Sequence, residues 1–150
     1  MRTVRSLRPL IVIMAALAGI FLFFYRFYHN DMMALKGFTA GYEAFDRALS
    51  ELSAGGTEDA DRRAGEALAG LRARASLKLS SMIRNEREAM AQAAAIAELS
   101  ERKLASLRAY QRAVRDQGAD ADGLSKEVGD LGRQRRAACA RFRALGRQRP

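Results

Sequence analysis

The chain has 150 residues, with 26 Lys and Arg against 17 Asp and Glu, for a formal net charge of +9. One cysteine, Cys139, and one histidine, His29, exclude an intramolecular disulfide and a cysteine-based zinc site and argue against a His-Cys-carboxylate metal cluster. The only prolines, Pro9 and Pro150, bracket a chain rich in Ala, Leu, Arg and Glu, which favours helix throughout and predicts an all-α protein.

Residues 1–9 carry Arg2, Arg5 and Arg8. Residues 10–28 then read LIVIMAALAGIFLFFYRFY. As a helix this stretch is roughly 28 Å long, close to the hydrocarbon thickness of a bilayer, and it is expected to be a transmembrane helix. A cleavable signal peptide is disfavoured because the apolar run ends in aromatic residues with no small-residue cleavage pattern behind them. Tyr25, Arg26 and Tyr28 suit the membrane interface, with apolar stems in lipid and polar tips in water. Basic residues precede the span, and Asp31, Glu43 and Asp46 follow it. The N-terminus is therefore expected in the cytoplasm and the C-terminal domain in the periplasm or outside the cell. Ala15 and Gly19 form a small-xxx-small pair, a candidate self-association face.

The domain over 29–150 opens with a helix expected at about 31–53. Leu35, Phe38, Tyr42, Phe45, Leu49 and Leu52 recur at alternating steps of 3 and 4, a heptad seam for helix packing or self-association. Extrapolated back, the seam passes Tyr28, so span and helix are expected to form one rod. Gly37 and Gly41 suggest close packing or a bend beside it. After Ala54-Gly55-Gly56, Thr57 is placed to cap a helix whose first turn holds Glu58, Asp59 and Asp61.

Helical pattern runs on from 58 to 116, with seam residues Leu68, Leu71, Ala75, Leu79 and Met82, then Ile96, Leu99, Leu104, Leu107, Tyr110 and Val114. A straight helix of that length would rise about 88 Å, against roughly 35 Å for its predecessor. The register slips across the polar residues Arg84 to Glu88, so a break near 80–88 and a four-helix bundle are expected, with a coiled-coil hairpin as the alternative.

Gln117 to Gly123 forms the next break. Its Asp120-Ala121-Asp122-Gly123 stretch lacks the remaining ligands of a calcium loop, since Gly118 and Gly129 occupy their places. It reads as an acidic turn capping the last helix through Asp122 or Ser125. That helix, at about 124–147, carries Leu124, Val128, Leu131, Arg135, Ala138, Phe142 and Leu145 on one seam. Beyond Asp130 every charge is basic: Arg133, Arg135, Arg136, Arg141, Arg143, Arg147 and Arg149. Apart from Arg135, which lies on the seam, these are candidates for contact with an anionic surface, against the alternative of a solvated face. Nucleic acid is disfavoured because no aromatic residues are interleaved for base stacking.

No catalytic constellation or cofactor motif emerges. The expectation is a non-catalytic scaffold, tether or accessory subunit of an envelope complex. Its expected partners are membrane lipid, other membrane or envelope proteins, or a second copy of itself. The alternative is a sensor bundle in which Arg135 helps to hold an anionic ligand.

Overall fold

The computed structural model describes residues 4–80, 85–116 and 120–147, with side-chain surroundings from residue 10 to residue 145 of these. Arg2, Met82, Arg84, Gln117, Gly118 and Arg149, and the side chains of Arg5, Arg8 and Arg147, lie outside that description.

Four helices follow one another: α1 Val4–Gly55, α2 Glu58–Ala75, α3 Glu86–Arg115 and α4 Ala121–Arg147. They form an antiparallel up-down-up-down bundle, and no strand occurs among the described residues. α1 is unbroken over 52 residues. Its first half contains a stretch long and apolar enough to cross a membrane, with mean hydropathy 2.3 and no part of it buried. Its second half, from Asp31 onward, is one column of the bundle. The end of the bundle near Asp31 is its foot, and the end near Gly55 is its tip.

The expected heptad seam of α1 forms the core. Leu35, Phe38, Tyr42, Phe45, Leu49 and Leu52 are all buried, against partners in the chain's own helices. α2 meets them with small residues, Ala60 and Ala64, and with Leu71. These allow close approach. Gly41 has a role here: a Cβ at this position would lie 3.4 Å from Arg74 Cδ and 3.7 Å from Leu71 Cδ1. The backbone is continuous at Gly37 and Gly41, so close packing rather than a helix break explains Gly41.

The expected break in 58–116 is present, with α2 ending at Ala75 and α3 starting at Glu86. Asn85 precedes α3 with φ 66°, a left-handed conformation that Asn tolerates better than most residues. The α3 seam differs from the periodicity reading. Ile96, Leu104 and Leu107 are buried, Leu99 and Tyr110 are only partly buried, and Val114 is exposed. Ala89, Ala93, Ala97, Ser100 and Ser106 supply the rest of the buried residues. Small residues scored weakly in the pattern because they carry little apolar area.

At the tip the polypeptide turns at Gly56, whose φ of +55° suits glycine. Thr57 caps α2 as expected, its hydroxyl accepting from the Ala60 N–H at 3.2 Å. The carbonyl of Leu52, near the end of α1, accepts from the Gly56 N–H at 2.9 Å and from Gln111 Nε2 of α3 at 2.8 Å. α4 begins earlier than expected, at Ala121, so Asp122 and Ser125 lie inside the helix and Asp120 immediately precedes it. Gly123 leaves room for that carboxylate: a Cβ there would stand 2.8 Å from Asp120 Oδ1.

Candidate functional site

α1 and α4 approach one another less closely than the other neighbouring helices, and long side chains close the gap between them. Their centre is Arg135, which interrupts the apolar seam of α4 and is only 2% exposed. All three guanidinium nitrogens are engaged. Nε donates to Ser100 Oγ of α3 at 2.7 Å, and Nη2 donates to the Tyr42 carbonyl of α1 at 3.2 Å. Nη1 pairs with the Asp46 carboxylate of α1. The guanidinium carbon also sits 5.2 Å from the centroid of the Phe45 ring. Ser100 passes its own hydrogen to the Ile96 carbonyl at 2.7 Å. Asp46, Ser100 and Arg135 thus tie three helices together at mid-height. A charge taken out of water in this way requires that partner set.

The site is strongly cationic around one carboxylate. Burial, then the charges of Arg135 and Arg136, push the Lys103 ammonium below its ordinary pKa, while Asp46 pulls it back up. Burial raises the Cys139 thiol, with Arg135 opposing the shift. Cys139 is therefore a buried packing residue held in its neutral form.

Nearer the foot, Arg143 of α4 donates through Nε to the Tyr42 hydroxyl and through Nη2 to Glu43 Oε1 at 3.1 Å. Its guanidinium carbon lies 5.3 Å from the Tyr42 ring centroid. Burial raises the Tyr42 phenol, and the Arg143 hydrogen bond opposes that rise. Beside these groups, Phe38 and Phe142 meet edge to face with centroids 4.9 Å apart.

The basic α4 residues therefore divide. Arg143 is an interhelical contact, and Arg133 is paired one turn away with Asp130. Arg136 and Arg141 are exposed on α4 and take no ion-pair partner among the described residues. Tyr25 and Tyr28 are exposed on α1, as is Arg26. Ala15 and Gly19 share its exposed first half, and nothing lies within 4 Å of a Cβ built on Gly19.

In the sequence Asp31 counts only as one of the acids that follow the span. It is buried at the foot and clips the α2–α3 connection to α1. The Ser80 N–H donates to its two carboxylate oxygens at 3.2 and 3.1 Å, and the Ser80 hydroxyl donates to it as well. Asp31→Ala removes every one of these acceptors and is expected to lower stability by about 1–3 kcal/mol. Limited proteolysis checks this: cleavage between Leu77 and Glu86 should accelerate, while the Gly55–Thr57 turn should be cut no faster.

Among the described residues, no group of three or more His, Cys, Asp or Glu is placed to hold a metal ion. The architecture is that of an all-α four-helix bundle whose first helix extends into an apolar rod. No protein-family model matches the chain, and neither curated proteins nor solved structures yield a match.

Proposed function

We propose that the protein is a single-pass, membrane-anchored helical scaffold or tether, an accessory and non-catalytic part of an envelope assembly. Its N-terminus lies in the cytoplasm and its bundle on the far side of the cytoplasmic membrane. The observation that carries this reading is the continuity of α1. One unbroken helix joins the apolar stretch to the packed core, so anchor and bundle are coupled without an intervening linker. About 28 Å of exposed apolar rod has no place in water, and a bilayer covers it. Basic residues before the stretch and acidic ones after it favour the stated orientation. Its partners are membrane lipid and other envelope proteins.

Against an anion sensor stands the state of Arg135. Its three nitrogens are already engaged by Asp46, Ser100 and the Tyr42 carbonyl, so this residue is not waiting for a ligand.

Topology tests the proposal. A Cys139→Ser, Glu98→Cys variant places the only thiol on an exposed face of α3. On whole cells it should react with an impermeant maleimide. Labelling that appears only after lysis would overturn the orientation. Release of the chain by alkaline carbonate would overturn the anchor.

A further inference from the structure

Where α1 and α4 stand apart, an open groove of about 380 Å³ remains at the foot of the bundle. Met32, Leu35 and Phe142 give it an apolar lining, and Lys36 and Arg143 supply positive charge. Resting on the membrane-anchor reading above, we infer that the lower end of this groove holds the headgroup of an anionic phospholipid from the adjoining leaflet.

Height is the first argument. α1 is continuous, so its rise places Met32 about 6 Å and Lys36 about 12 Å beyond Tyr28, the outer end of the apolar stretch. The headgroup layer occupies roughly the first 5–7 Å on each side of the hydrocarbon core. Of the α1 residues that line the groove, Met32 therefore lies in that layer, beside the helix that enters the bilayer, and the others stand above it. Side chains on an α-helix lean toward its N-terminus, and for α1 that direction is down into the membrane. The four-carbon stem of Lys36 can follow the apolar wall and bring its ammonium toward the phosphate level.

Charge is the second argument. The acid lining the groove, Glu43, is paired with Arg143. Lys36 is exposed and has no ion-pair partner among the described residues. The groove thus keeps one surplus positive charge above an apolar floor, complementary to a phosphate diester attached to hydrocarbon.

A second copy of the chain is a poorer occupant. Among the described residues outside 10–28, the exposed large apolar side chains are Met33, Met90 and Val114, scattered on α1 and α3. The described residues of the bundle form no second apolar face to offer the groove, whereas lipid lies alongside it.

The experiment places a photoreactive benzophenone side chain at Ala40, an exposed lining position. The full chain is reconstituted in nanodiscs of phosphatidylcholine with and without phosphatidylglycerol, and adducts are weighed by intact mass. Phosphatidylglycerol adducts should exceed that lipid's mole fraction about fivefold, the factor expected of one basic residue at an anionic surface. Lys36→Gln should return the ratio to the mole fraction, while Arg102→Gln on the exposed face of α3 should leave it enriched. Adducts in simple proportion to composition, absence of any lipid adduct from a chain that stays in the nanodisc, or a covalent dimer through position 40 would each overturn the groove assignment alone. A chain that fails to enter nanodiscs would overturn the anchor reading and the groove with it.

Discussion

Asp46→Ala should destabilise the bundle by about 2 kcal/mol, whereas Arg135→Met, with Asp46 retained, should change its stability by less than about 1 kcal/mol. The asymmetry follows from where each partner sits. Asp46 is 51% exposed on its side chain, so water takes over its hydration once the arginine is gone. Arg135 is 2% exposed and has no such recourse. Without Asp46 it keeps Ser100 and the Tyr42 carbonyl but loses its counter-charge, with Lys103 adding repulsion. Breaking a fully buried pair costs about 3–5 kcal/mol, and the exposure of Asp46 places this case below that range. Methionine fills much of the arginine volume with a flexible apolar chain, and Ser100 keeps its bond to the Ile96 carbonyl. The double variant Asp46→Ala, Arg135→Met should therefore be more stable than Asp46→Ala alone. Urea unfolding of the full chain in mild detergent, followed by circular dichroism, measures all four corners of the cycle. A double variant weaker than both singles would show that Arg135 contributes by packing and not as a charge needing its partner.

Phe38→Ala should cost about 3–5 kcal/mol, the largest effect of any single truncation considered. Phe38 is 0% exposed and packs against Tyr42 on its own helix, with centroids 5.9 Å apart, and against Phe142 across the gap to α4. Removing the ring opens a cavity where the α1 and α4 backbones are already apart and forfeits the edge-to-face pairs, each worth about 0.5–1.5 kcal/mol beyond area burial. Phe23→Ala provides the contrast. Phe23 touches only Phe24 and Phe27 in ring contact, on the exposed half of α1, so bundle unfolding should stay unchanged. The same urea titration decides both. A loss below about 1 kcal/mol for Phe38→Ala would mean that α4 is not held through this seam.

The helical class, the Thr57 cap and the break between α2 and α3 were legible because they depend on neighbours in sequence. Leu35 to Leu52 repeat with heptad spacing, Thr57 stands before three acids, and the register slips where α2 gives way to α3. The long-range polar contacts were not legible. Ser100 on α3 meets Arg135 on α4, and Asp31 meets Ser80. Neither pairing leaves a mark in local periodicity. Two signals were present in hindsight: a polar residue on the buried face of each of two helices, and a lone acid directly after the apolar run.

The basic α4 helix shows the same limit most clearly. Counted in sequence, Arg133, Arg136, Arg141 and Arg143 form one patch of like charge. In the bundle Arg143 is an interhelical contact to Tyr42 and Glu43, Arg133 is spent on Asp130, and Arg136 and Arg141 remain at the surface. What the amino-acid order determined alone is the rod: its apolar length, its helical continuation, its turns and the helices that follow. Those properties arise from side-chain chemistry repeated at the helical period, which acts over a few residues. Which charges are satisfied internally, and where an open groove meets the foot of the rod, were decided only by tertiary packing. These depend on the distance between α1 and α4, and no short stretch of sequence encodes that distance.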